Sequence, residues 1–394
     1  MRTRQLGAIL FCGIVLLVAA CSSTPGGSAA PTPPPDPCAG VKAGGTHTLP
    51  TDWSKAKVGV VTDIGTLNDK NFNEYSFKGA VDGAAAIKAA APQSVVPKDQ
   101  SEYLKDIQSF VDQGYDIIVT VGFNLATPTT CMAKVNSGVK FVGVDQSPIC
   151  VTPDGKPDSS FACKGDAKTL LPNYTSLAFQ EDQAGYLVGI VAASLSKNAE
   201  VGAIGGTTLC APCVRYIQGY ELGAKSVNPN IKVDTAYVTR DFSNKAFQDQ
   251  PGGKAFADNF LTTNSKVDVL FQVAGLTGNG VVDSACAKGI YAIGVDVDQF
   301  LSYPNGDKCI VTSAEKHLQL AVSEAIKAIA AGTVKAGDNQ FNAANDGIGV
   351  ADFHDKASLI TADTKSKLDA ALAAMKATPP LVTCPATGCG VGPK

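Results

Sequence analysis

Residues 57–73 read KVGVVTDIGTLNDKNFN, and this stretch decides the fold. The run from Val58 to Thr62 is apolar and rich in β-branched residues, and it ends in Asp63. A polar loop with Phe72 as its one aromatic residue then leads into a helical pattern. A short buried strand followed by a helix is typical of the repeating unit of a parallel α/β sheet. Ligands of such sheets bind outside the carboxyl ends of the strands, so the loop is a candidate binding segment.

The same strand-and-helix unit recurs along the chain. Eight runs have the pattern of buried strands: 58–62, 116–121, 140–144, 176–179, 200–204, 232–237, 267–273 and 291–295. Helical patterns cover 74–91, 102–112, 182–195, 212–226, 246–262, 314–331 and 361–377, and 340–351 has the pattern of a further strand region. Eight units exceed one ordinary doubly wound domain. We therefore predict an α/β fold of two doubly wound parallel-sheet lobes, with the break near Phe179.

The N-terminus predicts export with lipid attachment. Arg2 and Arg4 precede a short apolar run, 6–20, which ends in the sequence VAAC at Cys21. This run is shorter than the ~20 residues that span a bilayer, and small residues before the cleavage point are typical of a secretory signal. A cysteine at that point is the pattern of a bacterial lipoprotein, in which Cys21 carries lipid such as palmitate. Because two or more acyl chains anchor stably, we expect anchoring to the cell membrane on its extracytoplasmic face.

Cysteine usage agrees with an oxidising compartment. Without Cys12 in the signal and Cys21 at the lipid site, an even number remains, which suggests disulfides. Close spacing favours four pairs: Cys150–Cys163, Cys210–Cys213, Cys286–Cys309 and Cys384–Cys389. Elimination then leaves Cys38 and Cys131 as a long-range pair. A redox dithiol in the CAPC motif at 210–213 is the alternative to a structural bridge.

Composition excludes several functional classes. The formal net charge is −3 with no basic cluster beyond the signal, so nucleic acid is not an expected partner. The histidines, at His47, His317 and His354, are not spaced to complete a zinc site. The sequence shows no G-x-S-x-G elbow, no P-loop and no Ser–His–Asp grouping, so we expect neither an enzyme nor a bound cofactor.

Residues suited to ligand binding follow several of the predicted strands. Carboxylates and glycines stand at strand ends at Asp63, Asp145, Gly275 and Asp296. Each aspartate either binds a ligand or caps the next helix. Phe72 and Phe242 lie in polar loops of separate lobes, where they either pack under the loop or sandwich a flat ring. Lys316 adds a cation at the predicted start of a helix.

Five motifs in order carry a family resemblance. They are Asp63 with DKNFN at 69–73, FQE with AGYLVG within 179–189, VGAIGG at 201–206, IGVDVDQ at 293–299, and Thr312-Ser313 with Lys316. In this order, the sequence resembles the basic membrane protein family of ABC-transporter substrate-binding lipoproteins, of the purine nucleoside receptor A kind. One motif alone is weakly specific, whereas the ordered set behind a lipoprotein signal is fairly specific. This chain has Asn71 where the family usually has Ser.

The resemblance implies a type I periplasmic-binding fold, with two lobes joined by a three-stranded hinge and the ligand in the cleft. It implies that Phe72 and Phe242 stack a purine base, and that Asp296 and Lys316 hold the ribose hydroxyls. It also implies that Asp145 and Asp69 contact the base edge or nearby polar atoms, and that Gly275 contacts the ligand through its backbone. Asp63, Asn73 and Tyr216 are further candidate contacts.

The expected function follows from these assignments. We predict a monomeric lipoprotein that captures a purine nucleoside for the permease subunits of an ABC transporter. A receptor for another small solute, such as a sugar or a vitamin, and a surface sensor without a transporter are the alternatives. The predicted boundaries are 1–20 signal, 21–56 lipidated Cys21 and tether, 57–178 plus about 313–334 first lobe, 179–312 plus about 335–362 second lobe, and 363–394 C-terminal helix and tail.

Overall fold

Two parallel sheets organise the chain. The computed structural model describes residues 38–63, 65–147 and 167–384. Within them the strands are β1 (Val58–Thr62), β2 (Gln93–Val95), β3 (Ile117–Val121), β4 (Lys140–Val144), β5 (Tyr174–Phe179), β6 (Glu200–Thr207), β7 (Lys232–Thr239), β8 (Val269–Val273), β9 (Tyr291–Asp296), β10 (Ile310–Lys316), β11 (Gly337–Phe341) and β12 (Ile348–Val350). β1, β3, β5, β6 and β8 are buried along their whole length, because helices cover both faces of each sheet.

Helices alternate with these strands. They are α1 (Phe72–Ala86), α2 (Tyr103–Asp112), α3 (Ala126–Val135), α4 (Ala167–Leu170), α5 (Glu181–Leu195), α6 (Ala211–Val227), α7 (Gln250–Thr263), α8 (Gly275–Lys288), α9 (Gln299–Ser302), α10 (Leu318–Ala330) and α11 (Ala362–Met375). α2 is an amphipathic helix, because Ile107, Phe110 and Val111 recur at helical spacing and are buried together on one face. No helix in the described ranges is long and apolar enough to cross a membrane.

The two sheets have matching strand orders. The first is β11-β5-β4-β3-β1-β2 and the second is β12-β10-β9-β8-β6-β7. All neighbours are parallel except β10 and β12. The predicted architecture of two doubly wound parallel-sheet lobes is therefore confirmed, and each strand of one lobe has a counterpart in the other.

The lobes exchange helices where the chain crosses between them. After β5 of the first sheet, α5 packs against α6, which belongs to the second lobe. After β10 of the second sheet, α10 packs against α1 of the first lobe. The chain crosses a third time between β11 and β12. The lobes are thus joined by three crossings, in agreement with the three-stranded connection that the family resemblance implies.

Glycines allow α5 and α6 to approach closely. A Cβ atom at Gly185 would collide with the carbonyl oxygen of Tyr216, and one at Gly223 would collide with the carbonyl oxygen of Tyr186. The helix backbones therefore lie against each other without side chains between them. This contact fixes the position of α6 along α5. The first turn of α6 faces the other lobe.

Several elements differ from the predictions. Residues 314–316 are the end of β10, not the start of a helix, because they pair with β9 and β12. The segment 335–362 does not belong wholly to the second lobe, because β11 joins the edge of the first sheet beside β5. The glycines from Gly275 to Gly280 begin α8, a helix that was not among the predicted ones. α3 and β2 were not predicted at all.

The later part of the predicted tether is attached to the first lobe. Cys38 forms a disulfide with Cys131, and Gly44 N–H donates to Asn136 Oδ1 at 2.6 Å. These contacts attach the segment from residue 38 onward to the first lobe, so the predicted tether does not extend to residue 56. The predicted signal and the lipid site at Cys21 lie outside the described residues.

Three predicted disulfides are confirmed: Cys38–Cys131, Cys210–Cys213 and Cys286–Cys309. Cys384 is also disulfide-bonded. Its predicted partner Cys389 and the predicted pair Cys150–Cys163 lie outside the described residues.

Candidate functional site

A cavity lies between the lobes, where the carboxyl ends of the two sheets face each other. The cavity has a volume of about 80 Å³. Sites for small molecules are typically ~300–1,000 Å³, so the lobes lie close together here and must move apart to admit a ligand of more than a few atoms. Most of the candidates predicted from the sequence line it: Asp63, Asp69, Phe72, Asn73, Asp145, Tyr216, Gly275, Asp296 and Lys316.

Phe242 is the predicted site residue that does not line the cavity; Phe247 does. The Phe242 ring instead contacts Phe123, with 5.6 Å between ring centroids. Phe247 is fixed because its carbonyl accepts from Leu276 N–H at 3.1 Å. A short 3-10 turn before Phe247 directs its ring inward, a local bend that the polar loop sequence does not reveal.

Asp69 caps α1. Its carboxylate accepts from the backbone N–H groups of Asn71 (2.9 Å), Asn73 (2.9 Å) and Glu74 (3.1 Å). Burial nevertheless raises the pKa of Asp69 to about 6. Asp69 therefore acts as a helix cap, which was the alternative to ligand binding considered for the strand-end aspartates. The cap places Phe72 at the first turn of the helix, beside the cavity.

Asp63 orients its neighbours. Its carboxylate accepts from Tyr103 OH, from Asn124 N–H at 3.0 Å and from Asn124 Nδ2 at 3.1 Å. Asn124 lines the cavity, and it was not predicted because no motif marks it. Asn73 Nδ2 donates to Thr66 O at 3.3 Å, while its buried Oδ1 accepts no hydrogen bond from the described residues.

Asp145 and Asp296 occupy corresponding positions in the two lobes. Asp145 follows β4 and Asp296 ends β9, which are the matching strands of the two sheets. Both have left-handed backbones, with φ of 57° and 65°. This conformation is uncommon for residues other than glycine, and Asp tolerates it better than most. It turns each carboxyl group from the end of its strand toward the cavity.

Lys316 connects these two carboxylates. Its Nζ lies 2.5 Å from Asp145 Oδ2, 3.2 Å from Glu181 Oε1 and 3.8 Å from Asp296 Oδ1. It also lies 5.3 Å from the centroid of the Phe72 ring. Because Asp145 belongs to the first lobe and Lys316 to a strand of the second, this ion pair holds the lobes together.

The carboxyl groups hold protons more tightly than usual. Burial raises the pKa of Asp145 to about 7 and that of Asp296 to about 6, while the charge on Lys316 opposes both shifts. Burial acts to lower the pKa of Lys316, but the carboxylates of Asp145, Glu181 and Asp296 raise it above its usual value. Lys316 therefore stays charged.

An ion pair behind the cavity was missed by the sequence analysis. Glu181 is fully buried at the start of α5, and its Oε2 lies 2.5 Å from an Arg215 nitrogen. Arg215 and Lys316 hold the pKa of Glu181 below its usual value against the effect of burial. The FQE motif that contains Glu181 was the available signal, but nothing in the sequence connected it to Arg215.

The second lobe contributes a mostly uncharged wall. Gly275, with φ of 53°, opens α8 beside the cavity. Tyr216 OH donates to Asp296 Oδ1 at 3.1 Å. Cys210 and Cys213 at the start of α6 line the same cavity, a role that the sequence did not suggest.

The arrangement is suited to holding a polar ring compound. Four carboxyl groups and one ammonium group line the cavity, so hydrogen-bond donors on a ligand find acceptors there. Asp145 Oδ1 is buried and accepts no hydrogen bond from the described residues. Among those residues no group of three or more His, Cys, Asp or Glu side chains is arranged to hold a metal ion.

Comparison with known proteins identifies the family. The family model described as ABC transporter substrate-binding protein PnrA-like matches residues 56–378. Basic membrane protein A of Borreliella burgdorferi is 30% identical over 272 residues, which cover 68% of this chain and 70% of that protein. The ABC transporter nucleoside-binding protein BmpA of Lactococcus lactis is 31% identical over 254 residues, covering 62% of this chain and 64% of that protein.

Solved structures agree on the architecture. An ABC transporter solute-binding protein of Aeropyrum pernix superposes with a TM-score of 0.61 at 25% identity, covering 75% of this chain and 76% of that one. One of Conexibacter woesei gives a TM-score of 0.60 at 22% identity, covering 84% and 99%, and shows the fold. With the family model spanning both lobes, the chain belongs to the Bmp, or PnrA-like, family of ABC transporter substrate-binding proteins.

Proposed function

We propose that this protein captures a purine nucleoside in the cavity between its lobes and delivers it to an ABC permease. The observation that carries the proposal is the pairing of aromatic and carboxyl groups from both lobes around one cavity. Phe72 and Asp145 come from the first lobe, and Phe247 and Asp296 come from the second. A ligand that contacts both sets favours the closed arrangement, as hinge closure requires.

The aromatic residues suit a flat base. Phe72 and Phe247 line the cavity from different lobes, and Phe123 adds a third ring. Stacking of a base on an aromatic side chain is worth ~1–3 kcal/mol. Phe247 takes the role that the sequence analysis gave to Phe242.

The charged groups suit a ribose and the polar edge of a base. Hydroxyl and ring N–H groups donate to the carboxylates of Asp145 and Asp296, and each charged hydrogen bond contributes about 1.5–3 kcal/mol. Lys316 donates to a ligand oxygen or nitrogen from between them. Asp145 Oδ1 can accept such a hydrogen bond, since it is buried and accepts no hydrogen bond from the described residues.

The excess of carboxylates disfavours phosphorylated ligands. Four carboxyl groups and one ammonium group face the cavity. A nucleotide phosphate would bring further negative charge into a partly desolvated site, where like charges repel strongly. The proposed ligand is therefore the neutral nucleoside.

The proposed cellular setting follows from the N-terminal sequence. Cleavage before Cys21 and lipid on that residue would anchor a monomeric receptor to the extracytoplasmic face of the cell membrane. Its partners would be the permease subunits of the transporter. Replacing Cys21 with Ala would then move the protein from the detergent phase to the aqueous phase.

Calorimetry with a ligand panel tests the proposal. After mass spectrometry of any compound released by denaturation, the refolded protein is titrated with adenosine, guanosine, inosine, uridine, ribose, riboflavin and inosine 5′-monophosphate. We expect the best purine nucleoside to bind in the micromolar range or tighter, about −8 kcal/mol, and more tightly than every other class. Tighter binding of ribose, riboflavin or the monophosphate would refute the nucleoside assignment.

A further inference from the structure

A disulfide forms part of the cavity wall. Cys210 is the N-cap of α6, Cys213 lies in its first turn, and the bond joins them. Both residues and Pro212 line the cavity. The two cysteines are 3% and 5% exposed, so the bond is buried against the space where the ligand binds.

The disulfide changes what the end of this helix offers to a ligand. The N-terminus of a helix usually presents free backbone N–H groups, which attract anions. Here Pro212 has no N–H, and the N–H of Cys213 donates to the Cys210 sulfur at 3.2 Å. The first turn therefore presents sulfur and a proline ring to the cavity, an apolar and polarisable surface.

The position of the bond is not explained by its stabilising effect. The disulfide closes a loop with a sequence separation of 3, whereas Cys38–Cys131 has a separation of 93. The chain entropy removed by a disulfide grows with the loop it closes, so by that route this bond stabilises the fold less than Cys38–Cys131 does. Its effect is local and concerns the first turn of α6.

That turn also sets a polar contact of the site. Tyr216 lies one turn further along α6, and its hydroxyl donates to Asp296 Oδ1 at 3.1 Å. The carbonyl oxygen of Cys210 accepts from Val214 N–H at 3.0 Å, which continues the helix from the bond. A change at the disulfide therefore displaces both the wall itself and the hydroxyl that orients Asp296.

We propose that the Cys210–Cys213 disulfide is a ligand-contacting part of the cavity, and that the protein binds its ligand more tightly with this bond closed than as two thiols. The proposal rests on the proposed function, because it assigns the sulfur atoms to the ring of the nucleoside. Sulfur packs favourably at the edges of aromatic rings.

Opening the bond alters the wall in a defined way. A dithiol reductant is oxidised to its cyclic disulfide, and each cysteine sulfur gains one electron and one proton. Two unbonded sulfur atoms need more room than a bonded pair, and the cavity lies beside them.

A redox titration with trapping of thiols tests the linkage. The purified full chain is equilibrated in dithiothreitol buffers of graded potential, with and without saturating adenosine, guanosine or inosine, and alkylated peptides are quantified by mass spectrometry. For this two-electron couple, each tenfold preference of the ligand for the disulfide form lowers the midpoint potential by about 30 mV. We expect a shift of that order for Cys210–Cys213. The potentials of Cys286–Cys309 and Cys38–Cys131, whose residues are not among those lining the cavity, provide controls within the same sample.

Paired variants give a second measurement. We expect Cys210→Ala/Cys213→Ala to bind the best nucleoside roughly three- to tenfold more weakly, and Cys286→Ala/Cys309→Ala to bind it unchanged. Circular dichroism and thermal melting establish that both variants are folded. If the wild type binds a nucleoside but its Cys210–Cys213 potential does not move, the inference is wrong and the proposed function stands. If the wild type binds none of the three nucleosides, the proposed function fails and the inference fails with it.

Discussion

Phe247 lines the cavity, whereas Phe242 lies beside it, so substitutions at the two positions can be compared. Phe247→Ala should weaken binding of the best purine nucleoside by about 1–3 kcal/mol, roughly ten- to a hundredfold, because one face of the base loses its stacking partner. Phe242→Ala is the matched control, since its ring contacts Phe123 and does not line the cavity. Calorimetric titration of both variants decides between them. Equal losses in both, or a larger loss for Phe242→Ala, would restore the assignment made from sequence alone.

Among individual residues, the sequence predicted which aspartates lie at the cavity better than it predicted what their carboxylates bind. Asp69 lines the cavity as predicted, but its carboxylate is occupied by three backbone N–H groups. The Asp63 carboxylate likewise accepts hydrogen bonds from Tyr103 OH and Asn124 N–H. The order of residues along a loop shows which side chains reach the end of a strand. It does not show which backbone groups they meet there, because that depends on how the loop bends.

The helix pair α5 and α6 carries a prediction about packing. Alanine is usually preferred to glycine in a helix by about 1 kcal/mol. Gly223→Ala should do the opposite and lower the free energy of unfolding by about 1–3 kcal/mol or more, because its Cβ would collide with the backbone of Tyr186. Urea denaturation measures the change. Gly45→Ala, where the new Cβ would meet nothing within 4 Å, is the control. A stable Gly223→Ala variant would show that the two helices are not in backbone contact.

Elements were predicted where the local pattern and the tertiary partner agree. The strand predicted at 58–62 coincides with β1, and that predicted at 140–144 coincides with β4. The end of β10 was taken for a helix because Ala314, Glu315 and Lys316 are compatible with one. Its strand conformation is imposed by pairing with β9 on one side and β12 on the other. Likewise, β11 joins a sheet built from residues far earlier in the chain, which no local pattern specifies.

For the whole molecule, the buried acids predict how stability without ligand depends on pH. The pKa values of Asp69 and Asp296 are raised to about 6 and that of Asp145 to about 7, from a usual 3.8. Between these values the folded state binds protons that the unfolded chain releases, so this contribution is complete below the unfolded pKa and is lost as pH rises through 6 to 7. We expect the urea midpoint of unfolding to rise as pH is lowered from about 8 to about 5.

Asp145→Asn tests the assignment of this pH dependence. An amide of the same size cannot titrate, so the midpoint of the variant should change less between about pH 8 and about pH 6 than that of the wild type. Asp145 is the informative position because its pKa is the highest of the three. A wild-type midpoint that falls over this range, or an unchanged slope in the variant, would contradict the electrostatic description of the cavity.

Neither lobe is a continuous piece of chain, and this matters while the protein is being made. Domains commonly fold from the N-terminal side as synthesis proceeds. Here the first sheet lacks its edge strand β11 until residue 341 has emerged, and α1 lacks α10 until shortly before. The face of the first sheet that α1 and α10 cover therefore stays incomplete until α10 has been made. The opposite face differs, because the buried residues of its core all lie between Val61 and Tyr174 and are available early.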